Sequence, residues 1–269
     1  MIAAGVIGWP VAHSKSPLIH RFWLAKLGID GDYSRFLVRS ENLGFALRAL
    51  PALGLRGVNV TVPHKVAVMA YLDTIDPGAT RIGAVNTIVV ATDGQTLGLN
   101  TDATGFLDPL LRLPRQYSSA TVMGAGGAAR AVLQTLRTMK IQQITLINRS
   151  EARAFDLLQD FPEIGTVVRL TDGYIVEPAD LLINATSLGM IGQPSLHINL
   201  DRLSAQTLVY DLVYAPIETP LLAAARERGH ATLNGLHMLV GQAAAAFALF
   251  YGVAPPREHD AALHELLAA

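Results

Sequence analysis

Between Thr121 and Ile147 the chain reads as strand, glycine turn, helix and strand, an order that few backbones accommodate. Thr121-Val122-Met123 runs straight into Gly124-Ala125-Gly126-Gly127-Ala128-Ala129-Arg130, helix formers continue to Lys140, and Ile144–Ile147 reads as a second strand. The spacing is G-x-G-x-x-A. The first glycine permits a tight turn, the second lets backbone approach a pyrophosphate, and Ala129 lets the helix pack closely on its strand. Amides at the helix start would then face phosphate oxygens. Taken alone, such glycines also serve ordinary turns. Set between two strands and a helix, they predict a dinucleotide-binding α/β domain with a parallel sheet.

The end of the second strand bears on which dinucleotide. Folds that bind NAD place Asp or Glu there for the ribose 2′-hydroxyl. This chain has Asn148-Arg149-Ser150, with Arg153 three residues on. An acid would repel a 2′-phosphate, whereas Arg149 and Arg153 can neutralise it and hydrogen-bond to it. NADP is therefore expected over NAD. The bland alternative is a pair of solvated arginines at a helix start.

Strand-like and helix-like segments alternate along the rest of the chain, which predicts an α/β architecture with mostly parallel sheets. A strand over Ile2–Ile7 leads through Gly8-Trp9-Pro10 to a helix with Ser16 as N-cap, Pro17 in its first turn and Gly28 past its end. Leu18, Ile19, Phe22, Trp23 and Leu27 would form its buried stripe. A helix from Glu41 to Leu50 is expected behind a Ser40 cap. In Leu55–Lys65, LRGVNVTVPHK, the valines at 58, 60 and 62 alternate with Asn59 and Thr61. That pattern predicts a strand whose Pro63 turns into a helix near His64, with Asn59, Thr61 and Lys65 at the carboxyl edge of a sheet. The apolar pattern lapses over 110–119 and reads as a linker to a second domain.

Composition closes off several functions. The 269 residues suffice for one large domain or two modest ones, and 51% hydrophobic against 16% charged residues excludes a disordered chain. A net charge of −1 with no run of Lys or Arg argues against nucleic-acid or anionic-membrane partners. Without cysteine there is no thiol nucleophile, disulfide or thiolate zinc site. No uninterrupted apolar stretch reaches the ~18 residues of a membrane span. The first ten residues carry no charged leader, so a cytoplasmic location is expected.

Read together, GWPVAHSKSPLIH (8–20), GVNVTVPHK (57–65), GAVNT (83–87), NTD (100–102), GAGGAAR (124–130), NRS (148–150), NATSLGM (184–190), YDLVY (210–214) and NGLHMLVGQAA (234–244) resemble, in order and spacing, the shikimate/quinate dehydrogenase family. The resemblance spans nearly the whole chain. It implies a substrate-binding α/β domain formed by 1–103 and 237–269, closed by a C-terminal helix, and a doubly wound Rossmann-type NADP-binding domain at 104–236, with catalysis in the cleft between them. It implies reversible NADP-dependent reduction of 3-dehydroshikimate to shikimate, without metal, by a monomer or homodimer. Lys65 and Asp102 would be the catalytic pair. Ser14, Ser16, Thr61, Asn86, Tyr214 and Gln242 would hold substrate. Gly124, Ala125, Gly126, Gly127, Ala128, Asn148, Arg149, Ser150, Arg153, Thr186, Met190, Leu212, Gly235 and Met238 would hold the cofactor.

These residue types suit the chemistry. Hydride delivery to a ketone puts negative charge on oxygen, and a cationic donor such as Lys65 stabilises that charge and supplies a proton. Asp102 would orient the lysine, although it also reads as the N-cap of a short helix. Asn86 reads equally as a buried, satisfied amide, and His13 as a structural residue. Ala103 and His237 stand where the family commonly has glycine, Ser150 where it has threonine, and Arg21 where it has asparagine. A quinate-oxidising paralogue, a non-catalytic NADP-binding regulator and a folate-interconverting dehydrogenase of similar build are the alternatives. The HSxSP block speaks against the last, because it suits a small polyhydroxylated acid better than a pterin.

Overall fold

In the computed structural model residues 1–162 and 165–268 are described, and the chain divides into two compact units. Met1–Gly105 with Val240–Ala269 form the first and Phe106–Leu239 the second.

The first unit is built on β1 (Ile2–Gly8), α1 (Ser16–Leu27), β2 (Gly31–Leu37), α2 (Leu43–Ala49), β3 (Leu55–Val60), β4 (Thr74–Ile75), α3 (Pro77–Ile82), β5 (Thr87–Val90), β6 (Thr96–Leu99) and the start of α4 (Asp102–Leu111). Its six strands lie in the order β2-β1-β3-β5-β6-β4. β1 pairs in parallel with both β2 and β3, whereas β5 runs antiparallel to β3 and to β6. β4 is parallel to β6, so three of the five pairings are parallel as expected and only those of β5 are antiparallel. A short connection through Gly94, at φ 87°, closes β5 and β6 as a hairpin, and two strands joined so tightly can only be antiparallel. Ile7, Val58, Val60, Ile88 and Val90 share one core with Leu43 and Leu47 of α2.

Several local expectations shift. Ser16 is the first helical residue of α1, not a side-chain cap; Lys15 precedes it, and the Ser16 amide donates to Ser14 Oγ at 3.3 Å. Gly28, at φ 63°, ends the helix as expected. The buried face carries Ser16, Ile19, His20, Trp23 and Leu24, while Leu18 and Leu27 are exposed. That face spans i, i+3, i+4, i+7 and i+8, so Ser16, His20 and Leu24 share it with Ile19 and Trp23, and Leu18 and Leu27 fall outside it. A 3-10 turn over Ser40–Asn42, without a side-chain cap, replaces the first turn of the predicted 41–50 helix. Val62 is exposed, because β3 ends at Val60 and no longer holds the strand alternation. No α-helix begins at His64. Its amide donates back to the Thr61 carbonyl at 2.9 Å, closing a turn around the cis Val62–Pro63 bond, and a 3-10 segment follows only at Ala67–Tyr71.

The second unit continues with β7 (Ser119–Met123), α5 (Gly127–Thr138), β8 (Gln143–Asn148), α6 (Glu151–Asp160), β9 (Thr166–Arg169), β10 (Tyr174–Ile175), β11 (Leu181–Asn184), β12 (Ile198–Asn199), β13 (Leu208–Asp211), α7 (Pro220–Glu227), β14 (Ala231–Leu233) and the start of α8 (Gly235–Tyr251). α9 (Asp260–Ala268) returns the chain to the first unit. The main sheet has the order β14-β13-β11-β7-β8-β9, parallel throughout. This is the doubly wound order, with its reversal point between β7 and β11. Strands buried on both faces explain the apolar runs in β7, β8, β11 and β13. The segment 110–119 is no free linker: Leu110, Leu113 and Tyr117 pack against this unit's core.

Candidate active site

The turn after β3 and the start of α4 place Lys65 against Asp102. The buried His64 ring sits 2.7 Å from the Val38 carbonyl and anchors the turn, and the Lys65 carbonyl accepts the Val85 amide at 2.8 Å. At α4 the capping work falls to a residue the sequence reading passed over. Asn100 Oδ1 accepts the Asp102 and Ala103 amides at 3.0 and 3.4 Å, and its Nδ2 donates to the Ala84 carbonyl at 2.8 Å. Asp102 is thus released from the cap role, and its carboxylate meets Lys65 Nζ at 2.5 Å. Their side chains are 17% and 6% exposed. Ala103 lies inside the first helical turn, a conformation in which alanine is favourable.

Asn86 orders that carboxylate. It is 2% exposed, its Nδ2 donates to Asp102 Oδ1 at 2.8 Å and to Thr101 Oγ1 at 3.1 Å, and its Oδ1 accepts the Thr101 amide at 2.7 Å. The amide expected to meet substrate has both hydrogens engaged within the protein. Asn59 also differs from expectation: it turns into the unit, not toward a sheet edge, and accepts from Tyr33 Oη at 2.7 Å. Burial pushes the Tyr33 phenol well above its ordinary value, Tyr251 adds to that, and a hydrogen bond with Ser16 works the other way.

Ser14 and Ser16 are both buried. The Arg35 guanidinium donates twice to the Ser14 carbonyl, at 3.0 and 2.5 Å, and Lys15 Nζ donates to the Leu267 carbonyl of α9, so the loop is held from both sides. Thr61 is half-buried, with its methyl in the space a Cβ at Gly8 would need. Gln242 is buried on α8, and His13 is exposed. Tyr214 lies in the second unit, half-buried beyond β13.

In the second unit the expected cofactor residues gather at the carboxyl ends of the parallel strands, where open α/β sheets bind ligands. Gly124 has φ 111°, and a Cβ there would lie 3.0 Å from the Ala185 carbonyl oxygen. Gly126 has open space in front of it and precedes α5, so the backbone of Ala125, Gly126, Gly127 and Ala128 is accessible to a pyrophosphate. At the end of β8, Asn148 donates to the Ser150 carbonyl at 2.8 Å, and Ser150 caps α6 through the Arg153 amide. Arg149 and Arg153 are exposed beside it, with no acid at the strand end. These features fit a dinucleotide that carries a 2′-phosphate.

The remaining loops are tied down by a residue not anticipated from sequence. Asp211 is fully buried; it accepts from Asn184 at 2.9 Å, the Val213 amide at 3.0 Å and Thr219 at 2.6 Å. Burial raises its pKa, against the pull of those hydrogen bonds. Asn184 in turn accepts the Thr186 hydroxyl and amide. Leu212 runs so close to Gly235 that a Cβ there would meet its carbonyl oxygen at 2.2 Å. Met190 and His237 are half-buried, while Met238 is packed into the core. Among the described residues, no group of three or more His, Asp or Glu side chains is placed to hold a metal ion. No helix among them is long and apolar enough to cross a membrane.

Three family models match the chain: "Shikimate dehydrogenase substrate binding domain" over residues 6–88, "Shikimate / quinate 5-dehydrogenase" over 113–212, and "Shikimate 5'-dehydrogenase C-terminal domain" over 235–261. The shikimate dehydrogenase (NADP(+)) of Sphingopyxis alaskensis is 51% identical over 271 residues, covering 99% of this chain and 97% of that one. That of Rhodospirillum rubrum is 50% identical over 261 residues, covering 94% and 92%. Among solved structures, shikimate 5-dehydrogenase from Thermus thermophilus, in complex with NADP(H) and shikimate, superposes with a TM-score of 0.87. It is 35% identical, and the match covers 99% of this chain and 100% of that one.

Proposed function

This chain belongs to the shikimate dehydrogenase family, and from that premise we propose that it interconverts 3-dehydroshikimate and shikimate with NADP(H). The observation that carries the reading is the Lys65–Asp102 pair at 2.5 Å, nearly buried yet not closed off. Bound NADPH supplies the hydride. As the ketone oxygen gains charge, the Lys65 ammonium stabilises it and passes its proton to that oxygen, and Asp102 holds the ammonium in place. In the oxidative direction the lysine takes the hydroxyl proton back.

The other assignments follow the same reading. Ser14, Ser16, Thr61 and Gln242 supply neutral hydroxyl and amide groups suited to a polyhydroxylated acid, and Asn86 acts at the carboxylate it already touches. The glycine turn takes the pyrophosphate, and Arg149 with Arg153 takes the 2′-phosphate. The near-neutral charge is in keeping with a cytoplasmic enzyme acting on a small molecule, as a monomer or homodimer.

The test is the rate of NADPH formation from shikimate and NADP+ by the purified chain and by Lys65→Ala. The unaltered chain turns over, and Lys65→Ala loses 100-fold or more of kcat, about 2.7 kcal/mol at 1.36 kcal/mol per tenfold. Turnover by Lys65→Ala at the parent rate would remove the lysine from the mechanism. Oxidation of quinate in preference to shikimate would reassign the substrate.

A further inference from the structure

Behind the Lys65–Asp102 pair lies a buried chain of hydrogen bonds, with the Thr101 hydroxyl beside it at 3.1 Å from Thr87 Oγ1 and 3.2 Å from Asn86 Oδ1. Tyr33 Oη donates to Asn59 Oδ1 at 2.7 Å; Asn59 Nδ2 donates to Thr87 Oγ1 at 2.9 Å and to the Asn86 carbonyl at 3.2 Å. Thr87 Oγ1 donates to Asn86 Oδ1 at 2.9 Å, and Asn86 Nδ2 donates to Asp102 Oδ1 at 2.8 Å. Two backbone groups fix the amide orientations. The Thr101 amide can only donate, so Asn86 must present its oxygen there and its nitrogen to Asp102. The Asn86 carbonyl can only accept, so Asn59 must present its nitrogen there and its oxygen to Tyr33. Tyr33, Asn59, Asn86 and Thr87 are each at most 5% exposed. In such surroundings an unpaired group is costly, so each link holds the next in a single arrangement.

We propose that Thr87 and Asn59 are positioning residues for the reaction, acting through Asn86 to hold the Asp102 carboxylate with one oxygen on the Asn86 amide and the other on Lys65. The inference rests on the reading of Lys65 and Asp102 as the reacting pair. Thr87 is the critical link. Its hydroxyl donates to Asn86 Oδ1, which also takes the Thr101 amide at 2.7 Å and the Thr101 hydroxyl at 3.2 Å, and its oxygen receives Asn59, so its loss leaves an Asn59 N–H unmet and removes the shorter of the two hydroxyl contacts on Asn86. The Asn86 amide is then held by Thr101 alone on its oxygen side, and the donor it presents to Asp102 Oδ1 is less firmly fixed. Neither Thr87 nor Asn59 is placed on the substrate, so the effect belongs in turnover, not in substrate affinity.

The experiment compares Thr87→Val, which keeps shape and removes the hydroxyl, with Thr87→Ser, which keeps the hydroxyl, using shikimate and NADP+ as probes. Thr87→Val lowers kcat about tenfold with both KM values within twofold of the parent, and Thr87→Ser returns kcat to within twofold. Parent-like kcat in a folded Thr87→Val overturns the inference, and so does an equal loss in both variants, which would make the cause volume and not the hydroxyl. Should Thr87→Val fail to fold, Tyr33→Phe decides: a threefold loss of kcat at unchanged KM supports the chain of bonds, and an unchanged kcat overturns it. Lys65→Ala, measured alongside, separates the two readings. If it is inactive while Thr87→Val is normal, only the positioning role falls. If it turns over normally, both fall, because no reacting pair remains to be held.

Discussion

His20 shows what a single residue can cost this fold. It is fully buried in α1, stacked on Tyr33 at a centroid distance of 3.9 Å and 15° between planes, with Trp23, Phe247, Phe250 and Tyr251 around it. Among the described residues, neither ring nitrogen has a hydrogen-bond partner. Burial lowers its pKa to about 3. An unfolded histidine takes up a proton near pH 6.5, so between about pH 6.5 and 3 the unfolded chain binds a proton that the folded chain refuses. The sign follows: this histidine's contribution is intact above pH 6.5 and is lost as pH falls through that window. Denaturant unfolding at pH 7.5 and pH 5.0 should show the parent losing about 2 kcal/mol from this group, a loss absent in His20→Phe. Identical pH slopes in the two proteins would show that His20 titrates normally. None of this was legible in sequence, where His20 reads only as surface or core. Apolar periodicity ranks positions by hydrophobicity and cannot see a histidine filling an aromatic site.

At the scale of the element, the β7–α5–β8 unit was the most legible part of the chain, because each of its features is local. The glycine at φ 111°, the helix starting at Gly127 and the open space at Gly126 follow from residues within one turn of each other. The first unit was harder to read. The pairing of β3 with β5, the inward turn of Asn59 and the Lys65–Asp102 pair depend on partners 26 to 37 positions away, such as Tyr33, Thr87 and Asp102, and no periodicity encodes those. Asn100 presents a different, local difficulty, since an Asn two residues before an Asp offers two equally plausible caps. The junction of β8 with α6 carries its own prediction. Arg149 and Arg153 stand exposed past a strand end that lacks an acid. Arg149→Asp should raise the KM for NADP+ by ten- to a hundredfold, about 1.5–3 kcal/mol for a lost charge-assisted bond. NAD+ has no 2′-phosphate and should lose far less. Steady-state kinetics with both cofactors settle it, and equal losses would place the 2′-phosphate elsewhere.

For the molecule as a whole, the sequence allowed one domain or two, and the fold has two compact units with separate cores. Their limits fall inside α4 and α8, at Gly105 and Phe106 and at Leu239 and Val240, so no flexible composition marks them. This explains why a polar lapse at 110–119 was a poor guide: a helix boundary between two packed units needs no Gly- or Pro-rich linker. The division makes a prediction about where each ligand acts. The glycine turn, Arg149 and Arg153 belong to the second unit, whereas Ser14, Ser16, Lys65 and Asp102 belong to the first. A ligand at a hundred times its Kd stabilises the state that binds it by about 2.7 kcal/mol, which slows amide exchange most where it is bound. NADP+ alone should therefore protect peptides covering 124–130 and 148–153, and shikimate alone those covering 14–16, 61–65 and 100–103. Hydrogen–deuterium exchange on the intact chain, with each ligand added singly, reads both patterns in one protein. Protection of the serine loop by NADP+ alone, or of the glycine turn by shikimate alone, would reverse the assignment of the two units.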